Sequence, residues 1–288
     1  MALRDPRTWP LGPATALVLA GFAANSLLCR AALGGGHAGA LPFSLLRLGS
    51  GALALLLMLG RERVELRTGF HPLRALALAA YVLGFSFAYR ALTAGTGALL
   101  LFGAVQATLL VLTVAKGEGL SRRKGFGAAL AFSGLLVLSL PTAQRPEPRA
   151  ALLMVGAGVA WGLYTWLGRG ATRILLDTAG AFLGASLLAL TLVLILPGTR
   201  LTGTGAALAV VSGALASAGA YALWYQVLPR LGAARAAVVQ LAVPPLTAAV
   251  AAVGLGEVPG PAWFLAAGLT LGGIALATTS GSASRARA

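Results

Sequence analysis

Ten apolar runs, joined by connections of a few to about a dozen residues, limit what this chain can fold into. They fall near Leu11–Leu33, Leu41–Leu59, Leu73–Leu92, Gly95–Ala115, Gly125–Leu140, Ala150–Leu167, Thr178–Leu196, Leu208–Leu228, Ala233–Leu255 and Pro261–Thr278. A helix rises about 1.5 Å per residue, so the roughly 30 Å hydrocarbon layer of a bilayer takes about 20 apolar residues to cross. Only 10% of the residues are charged and 58% are hydrophobic, against about 25% charged in an average soluble domain. A water-soluble core could not hide that much apolar surface. The expected fold is therefore an all-α integral membrane protein of ten transmembrane helices, with no segment long enough for a soluble domain. Residues 1–10 are short and polar, and no cleavage site follows the first run well, so it is expected to stay as a span.

The chain also repeats itself. Arg30 and Arg169 are separated by 139 residues, and so are Glu118 and Glu257. Tyr89 and Tyr225 sit near the ends of corresponding spans, and Gly117-Glu118 and Gly256-Glu257 follow the next ones. The Gly21-Phe22-Ala23 stretch lies over Ala160-Trp161-Gly162. A period this long points to duplicated halves, residues 1–141 and 142–288, each of five spans. Five is odd, so duplicated halves enter the membrane from opposite sides and form an inverted repeat around a central cavity. Such architectures place the binding site near mid-membrane and work by alternating access.

Charge sets the orientation. The net charge is +15, but the basic residues lie in short loops, which argues for topology rather than nucleic acid. With ten spans, sixteen Lys and Arg fall on the side of the N-terminus and five on the other, namely Arg30, Arg90, Arg145, Arg149 and Arg200, with Arg47 inside the second span. Both termini are therefore expected in the cytoplasm.

Several chemistries find no residues. The single cysteine, Cys29, allows no internal disulfide, and the two histidines are in loops. There is no Walker loop, no His-Glu-x-x-His and no Gly-x-Ser-x-Gly, so neither an enzyme, an ATP-driven pump nor a cofactor or metal site is expected. All seven acids fall in loops or at span ends. A proton-coupled carrier generally keeps a protonatable group at depth, so uniport or exchange is expected.

The candidate binding residues are the polar and aromatic side chains inside the spans. Gln106 and Gln240 sit inside the fourth and ninth spans, where an amide serves as glue between helices or hydrogen-bonds a substrate. Asn25 aligns with Tyr164 in the repeat and, with Trp161, suggests an inner rim. Tyr81, Phe85 and Tyr89 recur at i, i+4 and i+8, and Tyr221, Trp224 and Tyr225 form a matching stripe. Walls of this kind suit a zwitterion with an apolar or aromatic side chain, or a flat organic cation; aromatic packing between helices explains the stripes equally well. Trp9, Trp166 and Trp263 read as interface belt residues. Arg47 either pairs with helix carbonyls or reaches the outer interface, or else anchors an anionic group. Glu118 and Glu257 read as caps or gate contacts to loop arginines. Pro244-Pro245 breaks the hydrogen-bond ladder of the ninth span and implies a kink. Gly158-x-x-x-Gly162 and Gly268-x-x-x-Gly272 allow close helix packing, favouring a monomer, with a dimer as the alternative.

Two five-span halves, Ala-Trp-Gly-x-Tyr at 160–164, Arg47, Tyr89-Arg90-Ala91-Leu92 and the paired Gly-Glu signals together resemble the EamA-type branch of the drug/metabolite transporter superfamily. Within it, the chain is most similar to exporters of aromatic amino acids. The resemblance covers essentially the whole chain and implies a multi-pass protein of the bacterial inner membrane that exports small metabolites, with lipid and substrate as partners. The chain departs from the family where Gln106 stands at the repeat equivalent of Pro245. Two other readings remain open from the residues: a carrier of phosphorylated sugars or nucleotide-sugars, and a lipid flippase or membrane scaffold. The first needs several Lys or Arg in the cavity, and only Arg47 lies in a span.

Overall fold

The computed structural model describes residues 10–60, 69–117, 121–138, 146–169, 171, 173–196, 200–231, 236 and 239–278. Among them are ten helical rods: α1 Leu11–Gly34, α2 Ala40–Leu59, α3 Pro72–Ala88, α4 Ala94–Ala115, α5 Arg122–Val137, α6 Pro148–Leu167, α7 Ile174–Ile195, α8 Gly203–Leu231, α9 Val243–Gly254 and α10 Pro261–Thr278. Six of these, α1, α2, α4, α6, α7 and α8, are long and apolar enough to cross a membrane; α3, α9 and α10 are shorter apolar helices.

Local chemistry explains most helix ends. Thr93, Ser121 and Thr202 each accept a backbone N–H through the hydroxyl at the start of α4, α5 and α8. Glu147 takes the N–H groups of Arg149 and Ala150, and Pro148 follows at the first helical position, where its missing N–H costs nothing. Gly117 and Gly256, the repeat-related glycines, both adopt positive φ, 87° and 68°. The repeated Gly-Glu signal thus marks a left-handed turn that ends α4 and follows α9, which only glycine adopts without a steric cost.

Successive helices alternate in direction. Arg30 near the end of α1 meets Glu257, which follows α9, and the main chain of Ala38 bridges to Leu201 just before α8. At the opposite end Arg74 of α3 pairs with Asp177 of α7, and the Lys116 ammonium lies over the Trp166 ring. We refer to these as the Arg30 end and the Arg74 end.

Small residues let the rods close up. A Cβ on Gly158 would lie 2.6 Å from Ala104 Cβ, and one on Gly162 2.8 Å from Thr108 Cβ, so the first small-residue motif seats α6 on α4. The second motif behaves otherwise: Gly268 and Gly272 meet nothing within 4 Å, and Gly273 faces α5 instead.

Four boundaries differ from the sequence reading. The basic residues Arg122, Arg123 and Lys124 form the first turn of α5, capped by Ser121. Helix α7 starts at Ile174, so Asp177 is a buried member of its first turn. Tyr89 caps the end of α3. The ninth span is discontinuous: the chain is helical at Gln240, turns at Leu241 and Ala242, and restarts at Val243 with Pro244 in the first turn. The prolines begin a helix here, where their absent N–H groups need no carbonyl.

Candidate functional site

Helices α1, α3, α4, α6 and α8, with the residues before α9, surround a cavity of about 460 Å³, within the size range of small-molecule sites. Its inner end is lined by Asn25, Ser26, Tyr81 and Phe85, all buried. Its wall continues through Phe22, Trp161, Tyr221, Trp224 and Tyr225 on one side and Leu101, Phe102, Val105 and Gln106 on the other. It ends among exposed Arg169 and Pro229, with Gln240 close to the mouth. The cavity is therefore closed inside and open toward the Arg74 end.

The aromatic wall is a continuous packed set. Trp161 stacks on Tyr164 with centroids 5.2 Å apart and touches Tyr81 and Tyr221, each at 4.9 Å. Phe22 meets Tyr221 and Trp224 edge-on, at 6.2 and 5.9 Å. The stripe on α3 holds together as Tyr81, Phe85 and Tyr89, with centroids 5.3 and 4.6 Å apart. Of the nine residues singled out for substrate contact, Asn25, Tyr81, Phe85, Gln106, Trp161, Tyr221, Trp224 and Gln240 line this one cavity. Tyr164 does not. It is buried behind Trp161, under the guanidinium of Arg74 at 5.1 Å. Neither Gln106 nor Gln240 makes an interhelical hydrogen bond among the described residues.

Of the two readings of Arg47, the structure sets aside the first. Arg47 neither reaches the interface nor pairs with helix carbonyls; it is 1% exposed. Its Nη2 donates to Tyr81 Oη at 3.1 Å, its Nε to Ser217 Oγ at 3.3 Å and its Nη1 to Cys29 Sγ at 3.7 Å. The guanidinium also lies over the rings of Phe85 and Tyr81, at 5.0 and 5.4 Å. Asn25 completes the cluster, donating from Nδ2 to Tyr81 Oη at 3.4 Å and accepting from Ser212 Oγ at 2.6 Å.

Ser212 and Ser217 belong to a π-helical stretch, Ser212–Gly219, inside α8. In i→i+5 geometry residues five apart come onto one face, and such segments recur at functional sites. Gly213 within it packs directly on the main chain of Arg47 and on Ser50 Oγ. Sequence reasoning missed Ser212, Ser217 and Cys29. The signal available was Cys29 one turn beyond Asn25 on the same helix face.

The Arg30 end is shut. Arg30 forms an ion pair with Glu257 through Nε and donates from Nη1 to the carbonyl of Tyr89 at 3.2 Å. Glu257 Oε2 accepts from the Ala94 N–H at 2.7 Å. One carboxylate thus joins α1, the start of α4 and the segment after α9. Tyr89 donates its hydroxyl to the Ala94 carbonyl at 3.2 Å, beneath this latch. Glu118, the repeat-related acid, lies outside the described residues, as does Trp9.

At the Arg74 end, Arg74 is buried and its Nη1 lies 3.4 Å from Asp177 Oδ2, with His71 Nε2 3.9 Å from Oδ1. Of the tryptophans read as belt residues, Trp166 lies under the Arg169 guanidinium, 3.9 Å away. Trp263 is instead buried against α4 beside Gly95. Tyr225 lines the cavity near its mouth, and Pro244 and Pro245 follow the turn at Leu241 and Ala242, just past Gln240.

Three comparisons bear on this arrangement. A family model described as the EamA-like transporter family matches residues 148–279. The uncharacterized protein PA1977 of Pseudomonas aeruginosa is 49% identical over 266 residues, covering 91% of this chain and 92% of that one. A crystal structure of another protein superposes with a TM-score of 0.66 at 21% identity, covering 93% of this chain and 98% of that one. That last likeness concerns the fold.

Proposed function

The chain belongs to the EamA-like transporter family, and from that premise we propose that it carries neutral amino acids, aromatic ones among them, and metabolites of similar size across the bacterial inner membrane. Its family makes it a membrane transporter of small molecules. The substrate class rests on one observation: a cavity of about 460 Å³ whose wall combines Trp161, Tyr221 and Trp224 with the amides of Asn25, Gln106 and Gln240. Aromatic faces take an apolar side chain or a cation, and amides take the polar end of a zwitterion.

The mechanism follows from the asymmetry of the two ends. We read the ten rods as ten spans in two inverted halves, residues 1–141 and 142–288, with both termini in the cytoplasm. In that frame the cavity opens to the cytoplasm, and the Arg30–Glu257 latch closes the outer side. Rocking of the halves would part the latch and close the Arg169 side, which is alternating access. Export as the direction rests on the family resemblance alone. No carboxylate or histidine lines the cavity among the described residues, which favours uniport or exchange down the substrate gradient.

The test uses cysteines introduced at Gln106 and Gln240 in a Cys29→Ala background. An impermeant maleimide applied from the cytoplasmic face should label both, and phenylalanine should slow the labelling. Unprotected labelling, or none, would favour a flippase or a scaffold.

A further inference from the structure

Arg47 holds a positive charge at the closed end of the cavity with no negative charge to meet it. Its three nitrogens contact two hydroxyls and a thiol, all neutral, and no ion pair joins it to a carboxylate among the described residues. A guanidinium taken out of water is normally paired, because neutral acceptors recover only part of its lost hydration. Inside a membrane protein such a charge marks a functional site by default.

Wall side chains separate this charge from the cavity: the Phe85 ring, over which the guanidinium lies, and the polar pair Tyr81 and Asn25. Tyr81 receives the Arg47 Nη2 donor and Asn25 Nδ2 on the same phenol oxygen. A phenol oxygen that accepts from a guanidinium is polarised, and it becomes a better donor to an anion. Asn25 is aligned by Ser212, which occupies its carbonyl oxygen. The cavity lining carries no acidic residue among the described residues, so nothing in the wall offsets the field of Arg47.

Resting on the carrier reading above, we infer that the closed end of the cavity is a carboxylate receptor, with Tyr81 and Asn25 contacting the ligand and Arg47 supplying the charge behind them. The substrate class is then small carboxylates with an apolar or aromatic body, with or without an ammonium group. Organic cations lacking a carboxylate are excluded from it. The partners of Arg47 come from α1, α3 and the π-helical part of α8, so an arriving anion pulls on both halves of the chain at once.

The test titrates full-length protein in nanodiscs with 3-phenylpropionate, phenylalanine and phenethylamine, following the fluorescence of Trp161 and Trp224 on the cavity wall. Both acids should bind and the amine should not. Tyr81→Phe should weaken the acids about 10- to 100-fold, the loss of one charge-assisted hydrogen bond, while Arg47→Lys keeps the preference for acids. Arg47→Met, where its melting curve shows it folded, should lose that preference. Amine binding equal to or tighter than that of the acids, or no acid binding at all, would overturn the receptor. Counterflow in liposomes separates the two readings. Acid binding without counterflow leaves the receptor standing and removes the carrier, whereas amine counterflow without acid binding does the reverse.

Discussion

Arg30, in the last turns of α1, and Glu257, just after α9, meet in an ion pair that ties the N-terminal half of the chain to the C-terminal half at the end away from the cavity mouth. The carboxylate also takes the Ala94 N–H, and Arg30 takes the carbonyl of Tyr89. Two of these contacts, Arg30 with Glu257 and Ala94 with Glu257, cross between the halves, so on the carrier reading proposed above they hold this end closed. Cys29, the neighbour of Arg30, is fully buried beneath it.

That placement makes the native cysteine a reporter. In the wild type, Cys29 should react slowly with maleimides, because reactivity requires access. Glu257→Gln should raise its alkylation rate about tenfold, the effect of losing roughly 1.4 kcal/mol from the closed state. The exchanged pair Arg30→Glu with Glu257→Arg should bring the rate back toward that of the wild type. Equal rates in all three would mean the ion pair plays no part in closure.

Gln106→Ala and Trp161→Ala act on the cavity itself. Each should raise the half-saturating phenylalanine concentration in uptake assays, Trp161→Ala by about tenfold, in line with the loss of an aromatic pair. Tyr164→Phe, behind the wall, should leave that concentration unchanged.

Packing gives a stability contrast. Gly158→Leu puts a side chain where Ala104 Cβ and the Leu101 carbonyl already stand and should cost about 1–3 kcal/mol, as overpacking generally does. Gly268→Leu enters open space and should leave the melting temperature in detergent within error of the wild type.

Transport should not follow a proton gradient. Because no carboxylate or histidine lines the cavity among the described residues, imposing a pH difference across liposomes should leave the initial exchange rate of phenylalanine unchanged. A rate that tracks the gradient would point to the buried Asp177 beside Arg74 and His71, and its Asp177→Asn variant would then lose the dependence.

Much of this was legible in the residues. The apolar runs gave the rods, because hydrocarbon thickness fixes helix length. The i, i+4 spacing of Tyr81 and Phe85, and of Tyr221 and Tyr225, brought those rings to one cavity, because helix geometry puts such pairs on one face. The repeated Gly-Glu signal located two left-handed turns. The fate of Arg47 was not legible. Its partner Ser217 reaches it through the π-helical register of α8, and a run of Ser, Gly and Ala does not announce that register. The buried Asp177–Arg74 pair was missed because α7 begins one turn before its apolar run does. The ninth span looked continuous because its apolar pattern runs through Leu241 and Ala242, where the chain turns.

The central claim is that the Trp161 and Gln106 cavity carries substrate across the membrane, and counterflow tests it most directly. Purified protein in liposomes preloaded with unlabelled phenylalanine should take up labelled phenylalanine to a transient excess over empty liposomes, and Trp161→Ala with Gln106→Ala should abolish that excess. No excess with the wild type, or one unaffected by the double substitution, would contradict the account.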